Sequence, residues 1–167
     1  MDEQLPMKNT WWKGERGEWY VVLQFILFAI IFAAPFATPQ FRGWSSPWSE
    51  IGRGLGLLFI LAGGLLIVAG LASLGRNLAA VPHPKENATL VEHGAYKIVR
   101  HPIYSGIILG AFGWGMLMNS LVTLLLAALL LPFFDIKSRR EERFLNLKFD
   151  GYAAYQQRVA KLLPYIY

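Results

Sequence analysis

The chain is organised around one stretch, Gly94-Ala95-Tyr96-Lys97-Ile98-Val99-Arg100-His101-Pro102-Ile103-Tyr104-Ser105-Gly106. It places two tyrosines, a histidine, two cations and two glycines between long apolar segments, where a loop enters a predicted membrane helix. Polar and ionisable groups are costly at that position in a membrane protein, and they usually serve a function. We therefore expect chemistry in this stretch.

The composition around this stretch is typical of a small integral membrane protein. Of the 167 residues, 54% are hydrophobic and only 16% are charged, which is too apolar for an ordinary soluble domain. Cysteine is absent, so disulfides and cysteine-bound zinc are excluded and any catalysis uses other side chains. The cations behind the net charge of +5 flank the apolar segments, which indicates membrane lipids rather than nucleic acid as the partner.

The apolar segments predict an all-α, polytopic membrane fold with about four transmembrane helices. Residues 19–37 and 51–74 are each long enough to span a bilayer. Residues 103–118 and 121–134 are shorter and are separated by only two residues, which predicts a tight helical hairpin. From residue 135 onwards, charges alternate with aromatic side chains at helical spacing, which predicts an amphipathic C-terminal helical region at the interface.

The distribution of cations predicts the orientation of these helices. With four spans, the N-terminus, the loop 75–102 and the tail lie on the same side, and they carry every lysine and arginine except Arg42 and Arg53. The positive-inside rule then places both termini and the long loop in the cytoplasm. We expect the membrane to be a bacterial inner membrane. The mixed charges of the first eighteen residues argue against a cleavable signal peptide.

The hairpin predicts that two polar groups of residues meet at the cytoplasmic face. Tyr104 opens its first helix and Asp135 closes its second, so antiparallel packing brings residues 94–106 close to residues 137–143. The helix that starts after Pro102 presents free N–H groups and the positive end of its dipole, which suits a carboxylate or phosphate.

The side chains at this cytoplasmic end of the hairpin suggest a ligand that carries both positive and negative charges. Arg100 and His101 would add to the anion site, whereas Glu141 and Glu142 would attract an ammonium group or ribose hydroxyls. The tyrosine rings could stack on a base or face a cation. A ligand with carboxylate, ammonium, sulfonium and adenosine parts would satisfy all of these groups.

Several motifs between residues 74 and 164 occur in a distinctive order. They are Leu74-Gly75-x-Asn77, Pro82, Pro84, Leu90-Val91, Gly94-Ala95-Tyr96-x-x-x-Arg100-His101-Pro102-x-Tyr104-x-Gly106, Glu141-Glu142-x-x-Leu145, Tyr152-x-x-Tyr155 and Leu163-Pro164. This order resembles the isoprenylcysteine carboxyl methyltransferase and phospholipid methyltransferase superfamily. The first two spans resemble it only in hydropathy.

The resemblance implies a membrane enzyme that uses S-adenosylmethionine to methylate a lipophilic or amphiphilic acceptor, either an isoprenylcysteine carboxylate or a phospholipid amine. It implies a single membrane domain, 1–167, with two N-terminal spans in 1–74 and a cofactor-binding core in 75–167. The residues that it assigns to the cofactor are Leu90, Gly94, Tyr96, Arg100, His101, Pro102, Tyr104, Gly106, Glu141 and Glu142. The catalytic candidates are Glu142, Lys137 and Arg139, and the acceptor-binding candidates are Asn77 and Lys137.

Lys137 departs from the eukaryotic carboxyl methyltransferase pattern, which has an arginine five residues before the second glutamate. Lysine is a point charge and cannot form a bidentate fork on a carboxylate, which argues against a carboxylate acceptor. If the acceptor is an amine or a thiol, Glu142 or His101 is the candidate to take its proton.

Simpler interpretations exist for each feature alone. A juxtamembrane Arg-His-Pro can be a cytoplasmic flank, interfacial tyrosines can be anchors, and His83 and His93 have no metal-ligand spacing to His101. Two other functions stay open: a small non-enzymatic adaptor that binds anionic lipid, and a nicotinamide-dependent sterol-type reductase. The joint occurrence of the motifs on one membrane face favours the methyltransferase.

Overall fold

The computed structural model describes residues 17–41, 43–79 and 81–164 as an all-α membrane protein. Its helices are α1 (Glu18–Ala37), α2 (Trp48–Leu74), α3 (Pro102–Leu117), α4 (Leu121–Lys148) and α5 (Tyr152–Arg158), with 3-10 turns at Pro39–Phe41, Gly75–Asn77 and Gly94–Lys97. Within the described residues, strand pairing is limited to one isolated bridge between Val99 and Ala160. The predicted fold class is therefore confirmed.

Three helical segments are long and apolar enough to cross a membrane: α1, α4, and α2 with the turn that follows it. The fourth apolar helix, α3, has 16 residues, or about 24 Å at the helical rise per residue, less than the thickness of the hydrocarbon core. It packs between α2 and α4. Large apolar side chains on the outer helices stay exposed, such as Phe32 at 63% and Leu65 at 72%, which suits contact with lipid.

Glycines on facing surfaces bring α2 and α3 into close contact. Gly56 lies against Gly113, and Gly63 lies against Gly106, so the two helices run antiparallel with their backbones nearly touching. A Cβ added at Gly63 would lie 2.5 Å from the carbonyl oxygen of Gly106. Small residues at this spacing are the usual means of close helix packing in lipid, which explains Gly56 and Gly63 of the second span.

This contact predicts a marked difference between two neighbouring glycine variants. Gly63→Ala would push a methyl group into the backbone of α3, and we expect it to lower stability by about 1–3 kcal/mol. Gly64→Ala is the matched control, because a Cβ at Gly64 meets nothing within 4 Å and alanine is the better helix former. Thermal unfolding in detergent, followed by circular dichroism, measures the difference. Equal unfolding temperatures would contradict the packing.

The turn between α3 and α4 is as tight as the sequence predicts. Asn119 adopts a left-handed backbone conformation with φ 51°. Ser120 then caps α4, because its Oγ accepts a hydrogen bond from the backbone N–H of Thr123 at 3.2 Å. These two residues reverse the chain and start the next helix without a longer loop.

Two predicted helix boundaries are wrong. The sequence analysis ended the last span at residue 134 and began a separate amphipathic helix after it, but α4 continues unbroken to Lys148. The lysines, arginines, glutamates and leucines of this region are all strong helix formers, so the change to charged residues does not end the helix. Helix α2 begins at Trp48 rather than at residue 51.

The segment after α5 packs back on the rest of the protein. Leu162 is 2% exposed and joins the apolar core with Leu130 and Phe134. Nearby, Lys161 Nζ lies 2.6 Å from Asp135 Oδ1 in a mostly buried ion pair. The last three residues, 165–167, lie outside the described part of the chain.

Candidate functional site

The start of α3 and the middle of α4 converge, as the hairpin predicted. Tyr104 donates a hydrogen bond from its hydroxyl to Glu141 Oε2 at 2.7 Å. His101 lies between the two glutamates, with Nε2 3.1 Å from Glu142 Oε1 and Nδ1 3.9 Å from Glu141 Oε2. Two polar groups about forty residues apart in sequence therefore form one cluster.

Glu142 is the centre of a buried hydrogen-bond network. Its Oε1 accepts from Arg100 Nε at 2.8 Å and lies 3.1 Å from His101 Nε2. Its Oε2 accepts from Gln156 Nε2 of α5 at 3.1 Å. Because three neighbours hold this carboxylate, it joins the loop, α4 and α5 to one another, and its lone pairs are largely occupied.

Arg100 extends this network to the chain that follows α5. Its Nη1 donates to the carbonyl oxygen of Gln156 at 2.9 Å and to that of Val159. The backbone N–H of Arg100 donates to the carbonyl of Ala160 at 2.8 Å, and that of His101 donates to the carbonyl of Lys161 at 3.1 Å. These bonds fix the position of the loop in front of α3.

Tyr96 and Tyr155 complete the support of the loop. Tyr155 donates from its hydroxyl to the carbonyl oxygen of Tyr96 at 2.6 Å. Burial, reinforced by the negative charge of Glu141, raises the pKa of Tyr96 above its ordinary value, and burial also raises the pKa of Tyr155. Both phenols therefore stay protonated at neutral pH and remain hydrogen-bond donors.

Three stacked rings line the other side of the cluster. His101 and Tyr104 are nearly parallel, with ring centroids 5.3 Å apart, and Tyr104 lies 4.6 Å from Phe134. This stack extends from the polar cluster into the apolar core. Glu141, in contrast, is only partly buried, with 28% of its side chain exposed.

The cluster separates two cavities, which we name the loop cavity and the helix cavity. The loop cavity has a volume of about 80 Å³ and is bounded mainly by the chain between α2 and α3 and by the end of α4. The helix cavity has a volume of about 150 Å³ and lies between α1, α2, α3 and α4. Both cavities are partly open at the surface.

The two cavities have different linings but share a wall. The loop cavity is lined by, among others, Asn77, Ala88, Thr89, Leu90, Tyr96, Arg100, His101, Glu141, Leu145, Phe149, Tyr152 and Tyr155. The helix cavity is lined by Gln24, Leu71, Leu74, Leu78, Ala79, Tyr96, His101, Ile103, Tyr104, Ile107, Lys137 and Glu141. The polar residues common to both are Tyr96, His101 and Glu141, which form the shared wall.

The predicted site residues divide into those that line a cavity and those that do not. In the loop cavity are Leu90, Tyr96, Arg100, His101, Glu141 and also Asn77, which the sequence analysis had assigned to the acceptor. In the helix cavity are Tyr104 and Lys137. The residues that line neither cavity are Gly94, Pro102, Gly106, Arg139 and Glu142.

Most residues outside the cavities have a clear structural position. Gly94 has φ +60° and lies against Ser73, Pro102 is buried at the first turn of α3, and Gly106 packs against α2. Arg139, a predicted catalytic residue, has a side chain that is 61% exposed and donates to Asp135 Oδ2 at 2.8 Å. It lines neither cavity, and a catalytic role for it stays a prediction from the sequence.

Sequence reasoning missed two polar residues of the cluster. Gln156 completes the network of Glu142, and nothing in the local pattern of α5 indicates this. Gln24 lines the helix cavity, and a signal for it exists: it is the one amide side chain within the apolar residues 19–37. A polar residue inside a membrane span is a candidate functional residue by default.

Comparisons with known proteins identify the family to which this chain is similar. The family model described as phospholipid methyltransferase matches residues 51–151. The chain is 32% identical to the cobalt-zinc-cadmium resistance protein CzcN of Cupriavidus metallidurans over 89% of its own length and 62% of that protein.

Two other relatives are isoprenylcysteine methyltransferases by name. The probable protein-S-isoprenylcysteine O-methyltransferase of Oryza sativa subsp. indica is 34% identical, over 67% of this chain and 61% of the relative. The protein-S-isoprenylcysteine O-methyltransferase of Schizosaccharomyces pombe is 33% identical, over 65% of this chain and 48% of the relative. The chain thus spans about three fifths or less of the length of these relatives.

Proposed function

Because this chain belongs to the phospholipid methyltransferase family, we propose that it is a membrane enzyme that transfers a methyl group from S-adenosylmethionine to a lipophilic or amphiphilic acceptor. The observation that carries the proposal is the pair of cavities with one shared polar wall. The loop cavity suits a water-soluble donor, and the helix cavity suits an acceptor that comes from the membrane. Transfer would then take place at the wall of Tyr96, His101 and Glu141.

The loop cavity fits S-adenosylmethionine by the chemistry of its lining. Leu90, Leu145 and Phe149 provide apolar and aromatic surface for a purine. Asn77 and Thr89, which are hydrogen-bonded to each other at 2.9 Å, offer groups for hydroxyls. Glu141 supplies a negative charge for a cationic donor. When bound, the donor supplies a methyl group on a positively charged sulfur.

The proposed role of the protein in the reaction is to orient the reactants and to exclude water. Tyr104 and His101 hold Glu141 in place at the wall, and the ring stack closes the wall on its apolar side. A fixed geometry of this kind supplies the alignment that a displacement reaction needs. Few water molecules remain beside apolar rings, which strengthens the attraction between Glu141 and a cation.

We further propose that residues 75–167 form the cofactor-binding core and that both termini and the loop 75–102 are cytoplasmic. The cations of the loop and of α4 support this orientation, and so does the position of the loop cavity beside them. The division of the chain at residue 75 does not separate the cavities completely, because Gln24 and Leu71 of the two N-terminal spans line the helix cavity. Residues 1–74 would therefore contribute to acceptor binding.

A variant that fills the loop cavity tests the proposal. Ala88 lines this cavity, so Ala88→Trp is expected to weaken S-adenosylmethionine binding at least tenfold, measured by calorimetry on the purified protein in detergent. Ala153→Trp is the control, because Ala153 is exposed on the neighbouring helix α5.

The wild-type titration also separates the competing functions. Saturable binding of S-adenosylmethionine, together with no binding of NADPH, supports the methyltransferase. Binding of NADPH but not of S-adenosylmethionine supports a reductase. If neither nucleotide binds, and liposome binding weakens steeply with salt, the protein is a lipid-binding adaptor and the proposal fails.

A further inference from the structure

Lys137 is a buried cation at the inner end of the helix cavity. The residue is 2% exposed, and its Nζ donates to Gln24 Oε1 at 2.6 Å and lies 5.0 Å from the centre of the Tyr104 ring. Among residues 17–41, 43–79 and 81–164, no carboxylate lies within 4 Å of this Nζ. Glu141, one turn further along α4, is the charged group that acts on Lys137, but its carboxylate accepts from Tyr104 and forms no direct ion pair with Lys137. The ammonium group has three donors, so it keeps the capacity to bind an anion directly.

Gln24 turns this single charge into a site with two donors. Its Oε1 accepts from Lys137, so its Nε2 amide group is left to donate elsewhere. Within the described part of the chain, this Nε2 has no hydrogen-bond partner. The two residues lie 113 positions apart on α1 and α4, and together they present a positive charge and a neutral N–H donor to the same cavity.

The two charged groups of the helix cavity lie in different parts of it. Glu141 belongs to the wall shared with the loop cavity, where it accepts from Tyr104 and lies near His101. An ammonium head group beside Lys137 and Gln24 would be repelled, because like charges repel strongly in a site of low dielectric. Leu71, Ile103 and Ile107 form an apolar side that suits a hydrocarbon tail.

We propose that Gln24 and Lys137 bind the anionic head of the methyl acceptor, a carboxylate, and that Gln24 is a specificity-determining residue. This inference rests on the proposed function. It revises the argument from sequence that a lysine alone is poorly suited to a carboxylate, because Gln24 supplies the second donor. Gln24 lies outside residues 51–151, the part that matches the family, so the assignment depends on the geometry of this chain.

The reaction balances without a base when the acceptor is a carboxylate. One carboxylate oxygen forms a bond to the methyl carbon, the bond from that carbon to sulfur breaks, and its electron pair stays on the sulfur. The products are a methyl ester and S-adenosylhomocysteine, and no proton is moved. The carboxylate has enough lone pairs to accept from both donors and still attack, so Glu142, held in its network, is not needed to take a proton.

The test compares two probes that have the same farnesyl thioether tail. N-acetyl-S-farnesylcysteine carries a carboxylate and S-farnesylcysteamine carries an amine, and transfer from methyl-labelled S-adenosylmethionine gives KM for each. The variants are Gln24→Leu, Gln24→Glu and Lys137→Met. Arg143→Met is the matched control, since it removes an exposed cation of α4 that lines neither cavity.

We expect Gln24→Leu and Lys137→Met to raise KM for the carboxylate probe at least tenfold, with Kd for S-adenosylhomocysteine within twofold of the wild type. Gln24→Glu is expected to give a preference for the amine probe, because it places a negative charge beside Lys137 without changing the size of the side chain. Arg143→Met is expected to resemble the wild type. If Lys137→Met fails to fold, the two variants at the half-buried Gln24 still test whether the carboxylate binds at this site.

The outcomes separate this inference from the proposed function. Normal KM values for the carboxylate probe in both Gln24 variants, or a wild-type preference for the amine probe, would overturn the inference while S-adenosylmethionine binding stands. Loss of S-adenosylmethionine binding in the wild type itself would overturn the proposed function, and the inference with it.

Discussion

Replacing Glu142 by alanine is expected to destabilise the whole site rather than to remove a single reacting group. The side chains of Arg100 and Glu142 are only 12% and 10% exposed, and their atoms approach to 2.8 Å. Removal of one partner from a buried ion pair leaves the other charge without compensation, which costs about 3–5 kcal/mol. Because Arg100 and His101 both lose this acceptor, the loop in front of α3 is held less firmly to α4.

Two variants make this expectation specific. Glu142→Gln keeps an oxygen that can accept from Arg100, so its loss of stability should be smaller than that of Glu142→Ala. Glu92→Ala removes a carboxylate from a pair with Arg158 whose side chains are 35% and 63% exposed, and such surface pairs contribute at most about 1 kcal/mol.

Thermal unfolding in detergent and limited proteolysis of the loop 75–102 measure these effects. We expect the order of stability to be wild type, Glu92→Ala, Glu142→Gln and then Glu142→Ala, with faster cleavage of the loop in the last. If Glu142→Ala unfolds like the wild type but has lost methyl transfer, Glu142 takes part in the chemistry and the supporting role assigned to it here is wrong.

Replacing Glu141 by glutamine is expected to reduce methyl transfer at least 100-fold while the protein stays folded. Glu141 is a carboxylate that lines both cavities, so it is well placed to stabilise a positively charged donor at their shared wall. Loss of one preorganised electrostatic group from an active site commonly costs a factor of about 10²–10³ in rate. Glutamine keeps an oxygen that can accept from Tyr104, so the ring stack should survive.

The comparison of two ligands tests whether charge is the cause. S-adenosylmethionine carries a positive sulfur and S-adenosylhomocysteine does not. Glu141→Gln should therefore weaken the binding of S-adenosylmethionine at least tenfold more than the binding of S-adenosylhomocysteine. Calorimetry with both ligands, on the wild type and on the variant, measures this difference. Equal weakening of both ligands would mean that Glu141 binds a part common to the two molecules and does not stabilise the transferred charge.

Tyr104→Phe is the matched control for Glu141→Gln, because it removes the hydroxyl that donates to Glu141 but keeps the ring in the stack. The charge of the carboxylate remains in this variant, so a smaller loss of methyl transfer is expected. A loss as large as that of Glu141→Gln would indicate that the hydrogen bond, and not the charge, is what the reaction requires.

Several features of this protein follow from local sequence. The apolar segments specify the spans, because the cost of placing a residue in lipid depends mainly on the residue itself. The three residues between α3 and α4 specify the hairpin, because a connection this short leaves antiparallel neighbours as the natural arrangement. From the hairpin it follows that Tyr104 and the glutamate pair meet.

The roles of the two adjacent glutamates could not be predicted in this way. Successive helix residues point about 100° apart, so Glu141 and Glu142 face different surroundings. Which of them reaches the cavities depends on how α4 is rotated by its packing against α1 and α3. The sequence analysis gave most weight to Glu142, whereas the structure places it in the supporting network and directs Glu141 to the cavities.

The sequence by itself determined the class of protein, the apolar helices and the stretch around which the site is built, since each depends on composition or on short-range geometry. Only the tertiary structure decided which side chains share a cavity. Gln24 and Lys137 are paired across 113 residues, and Arg139 faces outwards only two positions beyond Lys137. The physical reason is that such contacts depend on the rotation and spacing of whole helices, which the packing of all of them determines together.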